Sequence, residues 1–491
     1  MNKRALMIQG TGSDVGKSII VAGLCRVIRR RGISVAPFKP QNMSNNAAAC
    51  PTGGEIGRAQ ALQARAAGII PTVDMNPVLL KPQSDRTSQV VVHGQVTSTL
   101  EAVKYMSTRD SLLAPVMQSF EKLTELYDCV IVEGAGSAAE TNLRERDIAN
   151  MGFARHAGVP VSLLADIDRG GVIASVVGTK TVLDPKDSAM IQSFIINRFR
   201  GDVSLFDDGV REIEKRTGWP CRGVVPWLDD ARRLPQEDAI VMDSFDAHDE
   251  SKQRKPLKIV VPMLSRIANS DDFDPLRLEP NVQFEFIPPG TPLPLDADVM
   301  ILPGSKSTVG DLEFLRSQGW DHDVIAHARN GGWVLGLCGG YQMMGRYVRD
   351  PQGLDGAPGE SLGLGLLDIE TDMRGNKSVR PVKGVCTVTD TPIEGYEIHI
   401  GKTHGSDTVR PFARIGDIAD GAVSIDGRIA GCYLHGIFST DEFRKTWLDR
   451  IRKGSASELR YDTKVEQYLD GVADGLEDAL EIDCLLADAE V

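Results

Sequence analysis

The sequence is short of what a disulfide scaffold or a zinc domain is built from. Its eight cysteines, at positions 25, 50, 129, 221, 338, 386, 432 and 484 of 491, include no CxxC pair and no dense cluster, which excludes both and fits a reducing cytoplasm. It has no stretch approaching the roughly 20 apolar residues needed to span a bilayer. The apolar run after Lys3 and Arg4 is cut off by Gln9 and Gly10, far short of a signal-peptide core. Positive charge is also scarce: 55 Lys and Arg against 68 Asp and Glu leave a net charge of −13, a field that repels nucleic acid and anionic membranes. Internal repeats and low-complexity tracts are absent. Glycine, by contrast, is abundant, with 49 residues placed mostly in loops after apolar runs.

The length predicts two or three domains. In the first half, apolar runs at Ala5 to Ile8, Cys129 to Val132, Val159 to Ala165 and Phe194 to Ile196 alternate with helical spacing, and each ends in a polar or glycine-bearing loop. That pattern predicts an α/β fold with a mainly parallel sheet, whose ligands gather at the carboxyl ends of the strands. Residues 244–256 are polar and aperiodic and read as a linker. A second α/β pattern follows, with strand candidates at Leu257 to Pro262, Val299 to Leu302 and Trp333 to Leu337. The expected organisation is 1–243, linker 244–256, 257–444, and an acidic, helix-prone extension 445–491 with a solvated acidic face.

Gly10-Thr-Gly-Ser-Asp-Val-Gly-Lys-Ser18 lies between a strand and a helix, where backbone N–H groups cradle phosphates. Candidate nucleotide-binding residues are Gly12, Asp14, Gly16, Lys17 and Ser18, with Asn197 as a reader of the base. The strict G-x4-GK-[ST] spacing would need glycine at Thr11, so the loop is one residue longer from Gly10 and resembles the dethiobiotin synthetase type. Partition-type ATPases would carry a lysine at position 12, where Gly12 stands. Magnesium needs oxygen ligands, and Ser18, Glu133 and Glu55 are the candidates.

Gly336-Leu-Cys338-Gly-Gly340 has the G-x-nucleophile-x-G form of a sharp strand-to-helix turn. A thiol at a helix N-terminus has a lowered pKa and attacks carbonyl carbon as thiolate. His435 is its expected base, with His399 and His404 as competitors, and Gly304 and Gly339 are expected to donate backbone N–H groups to an oxyanion. A phosphate site and an acyl-transfer thiol on one chain suggest glutamine-dependent amidation: a carboxylate has no leaving group until phosphorylated, and the thiol releases ammonia from glutamine.

The strings GTGSDVGKS (10–18), FKPQNMS (38–44), GGEIGRAQALQA (53–64), MNPVLLKP (75–82), SDRTSQVVV (84–92), RDIANMGFA (146–154), LPGSKST (302–308), GLCGGYQMMG (336–345), GYEIHIGKT (395–403) and YLHGIF (433–438) resemble the cobyric acid synthase family of cobalamin biosynthesis. The resemblance covers about residues 5 to 445. It implies a dethiobiotin-synthetase-like P-loop domain followed by a class I glutamine amidotransferase domain. The implied reaction amidates the b, d, e and g carboxylates of adenosylcobyrinic acid a,c-diamide with ATP, Mg²⁺ and glutamine. Cys338 would be nucleophile and His435 base, and Asp147, with Arg146 and Arg169, would lie near the corrinoid carboxylates. Arg144 and Arg198 are further members of a basic patch. The implied partners are the corrinoid polycarboxylate and glutamine, without nucleic acid or membrane, and with homo-oligomerisation left open. Many class I glutaminases place a glutamate two residues after the histidine, where this chain has Ile437, so His435 is oriented by a backbone carbonyl or by a group the motif does not name. The alternatives are cobyrinic acid a,c-diamide synthase and, from another class, a nucleotide-driven scaffold with an inactive glutaminase-like domain.

Overall fold

The computed structural model describes residues 4–83, 87–235, 255–355, 358–375 and 377–491. Most of the expected linker, 244–254, lies outside the described residues.

In the first half, six apolar strands align in parallel: β1 (Ala5–Gly10), β2 (Val35–Phe38), β3 (Cys129–Glu133), β4 (Val161–Asp166), β5 (Ile191–Phe199) and β6 (Cys221–Pro226). Their order is β6-β5-β4-β1-β3-β2. Buried on both faces, they read as continuous apolar runs rather than alternating ones. Helix α1 (Lys17–Arg30) leaves the phosphate loop after β1, and α2 (Arg58–Ala67) packs beside it. On the opposite face Phe38, Phe120 and Phe153 pack as a buried trio with ring centroids 5.1–5.5 Å apart.

The second half is built on β7 (Leu257–Pro262), β8 (Val282–Ile287), β9 (Val299–Leu302), β10 (Trp333–Leu337), β11 (Ala422–Val423) and β12 (Ile429–Cys432), ordered β8-β7-β9-β10-β12-β11 with only β11 antiparallel. An antiparallel sheet containing Ser378–Cys386, Thr391–His399 and Leu434–His435 lies beside it. Helix α3 (Gly339–Met343) follows β10, and α4 (Asp441–Ile451) follows the His435 segment.

The C-terminal extension keeps a partly solvated acidic side and buries its apolar side against the first domain. Helix α5 (Tyr461–Ala479) returns to the first domain, where Val465, Leu469, Val472 and Leu476 share a core cluster with Ile20, Val21, Leu24 and Val27 of α1. Its acidic residues are paired: Glu466 and Asp470 with Arg26 at 2.5 and 2.8 Å, Asp470 and Asp474 with Arg30 at 2.7 and 2.6 Å, and Asp462 with Arg65 at 2.8 Å. Periodicity identified the helix, but the arginines that receive its acidic side lie about 440 residues away in sequence. Among the described residues, no helix is long and apolar enough to cross a membrane.

Candidate functional site

The phosphate loop joins β1 to α1 with Gly16 at φ 95°, a left-handed conformation that a side chain would strain. Asn197 presses on that glycine and donates from Nδ2 to the Val15 carbonyl at 2.8 Å; it belongs to β5 itself rather than to the loop beyond it. The Lys17 ammonium is buried and donates to the carbonyls of Gly12, Ser13 and Gly136 at 2.8, 2.9 and 2.8 Å, which closes the loop. At the end of β3, neighbour of β1 in the sheet, Glu133 accepts from Ser18 Oγ at 2.7 Å, Lys39 Nζ at 2.9 Å and Gln63 Nε2 at 2.6 Å. Burial would raise its pKa, but Lys39, Gln63 and Ser18 hold it below the ordinary carboxylate value. An ionised carboxylate beside a hydroxyl under a phosphate cradle is a hard-oxygen donor set that fits magnesium.

The second centre forms where β10 and β12 end together. Leu337 pairs with Cys432, and the Cys338 N–H donates to the Cys432 carbonyl at 2.8 Å, so His435, three residues further on, arrives beside Cys338. The cysteine has φ 49° and ψ −105°, the strained geometry of a nucleophile elbow. Two residues away on each side, the elbow leaves no room for a side chain. A Cβ on Gly340 would stand 2.1 Å from the Leu302 carbonyl oxygen, and one on Gly336 would stand 2.4 Å from Met344 Sδ.

His435 is buried, stacked against Tyr396, and lines the same cleft as Cys338, whose thiol lies 3.7 Å from the Ile398 carbonyl oxygen. Its orienting group is Asp272, on the short 3-10 turn Ser270–Phe273: Oδ2 lies 2.7 Å from His435 Nδ1, and Oδ1 accepts the Gly436 N–H at 2.6 Å. The carboxylate accepts from Nδ1–H, which turns Nε2 toward the thiol. Burial disfavours the imidazolium, but Asp272 first and then Cys338 outweigh it and raise the pKa to about 10. Ile437 is buried in the core instead. No fixed spacing from His435 marked Asp272: it lies 163 residues upstream, in a string, Ser270-Asp-Asp-Phe273, with no motif.

Gly304 packs against the His435 ring and Gly339 against the Ser305 N–H. Gly339 opens α3, so its own N–H has no partner within the helix. The cleft around the thiol is also lined by Lys81 of the first domain and by Lys306, Asp355, Lys377 and His399 of the second. His399, stacked on Tyr433 at 3.8 Å, is kept neutral by burial, which lowers its pKa to about 4, while His404 is exposed.

Two comparisons with known proteins bear on the chain as a whole. Residues 6–241 match the CobQ/CobB/MinD/ParA nucleotide binding domain, and residues 258–443 match the CobB/CobQ-like glutamine amidotransferase domain. Over 487 residues the chain is 60% identical to a cobyric acid synthase of Hyphomonas neptunium, covering 99% of this chain and 98% of that one. It is 59% identical to the cobyric acid synthase of Paracoccus denitrificans (98% of this chain, 99% of the relative) and 57% identical to that of Brucella suis biovar 1 (99% of each). The chain belongs to the cobyric acid synthase family. It is a glutamine-dependent amidoligase of cobalamin biosynthesis, uses ATP, and acts on a corrinoid.

Several expected site residues of this cobyric acid synthase family member sit elsewhere. Glu55 is not beside Ser18. It is fully buried between Lys81, at 2.9 Å, and Lys377, and these two ammonium groups outweigh burial and lower its pKa to about 2. Asp147 accepts the N–H groups of Ala149 and Asn150 on Oδ1 and of Gly152 on Oδ2 at 2.8–2.9 Å and fixes the turn into the helix Met151–Ala157. Arg144 is bound bidentately by Asp187, and Arg198 lies 2.9 Å from Asp166. Arg146 is exposed at the end of a 3-10 turn, and Arg169 is exposed 3.5 Å from Asp14 at the rim of the phosphate loop. Lys39, Gln60 and Gln63 were overlooked, although they lie within the strings FKPQNMS and GGEIGRAQALQA.

Proposed function

We propose that the enzyme amidates the b, d, e and g carboxylates of adenosylcobyrinic acid a,c-diamide in the cytoplasm, with ammonia made at Cys338. The observation that carries this is the Cys338–His435–Asp272 array in a cleft walled by lysines of both domains. In the glutaminase half-reaction the Cys338 thiolate attacks the side-chain amide carbon of glutamine, and N–H groups near Gly304 and Gly339 receive the oxyanion. His435 gives its Nε2 proton to the leaving nitrogen, so ammonia departs and a thioester remains. Water then attacks, His435 takes its proton, and glutamate leaves. Lys81, Lys306 and Lys377 supply charge for the α-carboxylate of glutamine, and Asp355 for its ammonium.

At the other centre a substrate carboxylate takes the γ-phosphoryl group of ATP, ADP leaves, and ammonia displaces phosphate from the acyl phosphate. Lys17 and the loop around Gly12, Asp14 and Gly16 hold the phosphates, and Asn197 borders the nucleotide. Ser18 and Glu133 would hold Mg²⁺, which supplies charge neutralisation between the phosphates. Arg146 and Arg169 offer exposed guanidinium groups to the polycarboxylate.

The test is turnover with the a,c-diamide, ATP and glutamine, read by mass. Four added amides are expected; formation of the a,c-diamide from cobyrinic acid would favour the sister activity. Cys338→Ala should lose glutamine-dependent amidation and keep the ammonia-dependent reaction, while Lys17→Ala should lose both.

A further inference from the structure

One stretch of nine residues, Glu55–Gln63, reaches both centres. Glu55 binds Lys81 and Lys377, which line the thiol cleft. Arg58, the first residue of α2, places Nε 2.9 Å from Asp271 Oδ2. Asp271 is buried next to Asp272, and among the described residues neither of its carboxylate oxygens has a hydrogen bond of good geometry, so Arg58 is the charge that makes the turn carrying Asp272 tolerable. The same turn is held by Asn46, which accepts the Ser270 N–H at 3.1 Å, and by Asn269, which accepts the Ala47 N–H at 3.0 Å. On α2 beyond Arg58, Gln60 and Gln63 donate to Glu133 Oε2 at 3.3 and 2.6 Å, and Gln63 also reaches the Ser18 carbonyl at 3.2 Å. A helix rises about 1.5 Å per residue, so the backbones of Arg58 and Gln63 lie roughly 7.5 Å apart along one short helix, and a displacement of that helix moves both contacts.

We propose that α2 couples the two sites: when Glu133 and Ser18 engage a nucleotide-bound cation, α2 shifts the Asp271–Asp272 turn and with it His435. Arg58 is thus a positioning residue for glutamine hydrolysis. This rests on the assignment of the two centres above. Coupling of this kind is reciprocal and changes affinities by roughly 5- to 150-fold.

The binding test uses the full chain carrying Cys338→Ala. The Kd of a non-hydrolysable ATP analogue with Mg²⁺ is measured by calorimetry with and without glutamine. A change of at least about fivefold is expected, and it should vanish when Arg58→Ala is added. In the chain with Cys338 intact, Arg58→Ala should keep ammonia-dependent amidation and lose the response of glutamine hydrolysis to the analogue, with Arg58→Lys intermediate. Should Arg58→Ala not fold, the pair Arg58→Met with Asp271→Asn removes both charges and is expected to fold without the coupling. The proposal is overturned by an affinity indifferent to glutamine, by coupling of parent size in any variant lacking the Arg58 charge, or by loss of ammonia-dependent amidation in Arg58→Ala and Arg58→Lys alike. Failure of the parent to amidate a corrinoid even with ammonia would instead sink the functional reading.

Discussion

Replacing Asp272 with asparagine probes the carboxylate that orients His435, the proposed general base. The carboxylate serves two donors, His435 Nδ1–H at 2.7 Å and the Gly436 N–H at 2.6 Å, whereas an amide has one acceptor oxygen and must leave one donor facing an NH₂ group. A hydrogen bond to a charged group contributes about 1.5–3 kcal/mol, or roughly 10- to 150-fold in rate. Misplacing the imidazole tautomer adds to this, and the matching change in a serine-protease triad costs about 10⁴ in kcat. Asp272→Asn is therefore expected to lower kcat/KM for glutamine by roughly 10²- to 10⁴-fold and to leave ammonia-dependent amidation intact. The His435 pKa, raised to about 10 chiefly by Asp272 against the opposing effect of burial, should fall, and the alkaline limb of the glutamine pH profile with it. The sign for stability follows from the same shift. A histidine raised above its ordinary value of 6.5 contributes stability fully below pH 6.5 and loses it as pH rises through about 10. The gap between parent and variant in urea unfolding should thus be widest near pH 6 and close above about pH 10. A variant with kcat/KM for glutamine within about threefold of the parent, and the same alkaline limb, would refute the assignment.

Glu55→Gln leaves Lys81 and Lys377 buried without their shared counter-charge and should destabilise the protein by about 3–5 kcal/mol at neutral pH. Because the folded pKa of Glu55 is lowered from 4.5 to about 2, its contribution is present above pH 4.5 and fades as pH falls toward 2, while burial lowers the Lys377 pKa to about 7, so the Lys377 half of the pairing weakens above that pH; denaturant midpoints across the acid range check it. Leu469→Ala removes a fully buried side chain between α5 and α1 and should cost roughly 2–5 kcal/mol of unfolding free energy, with the nucleotide domain losing protection from hydrogen exchange; an unchanged midpoint would place α5 outside the cooperative unit.

The two chemistries were legible because each is concentrated in a contiguous string whose residue types follow from local geometry. A glycine loop between strand and helix makes a phosphate cradle, and a cysteine between glycines makes an elbow, whatever the rest of the chain does. The periodicity of apolar runs was equally local, and it carried the two α/β halves. The surroundings of Glu55 and Asp147 were not legible for one shared reason: a carboxylate near a motif looks the same from sequence whether it faces a ligand, two lysines or three backbone N–H groups.

By itself, then, the sequence determined the fold class and the glycine loop around Lys17, and it marked Cys338 and His435 as the candidate nucleophile and base. Only the tertiary structure decided which acid orients His435, which carboxylate stands beside Ser18, and where the acidic tail goes. Asp272 meets His435, and Glu466 meets Arg26, across separations of 163 and 440 residues. Pairings of that range are set by strand order and helix packing, which no local string encodes.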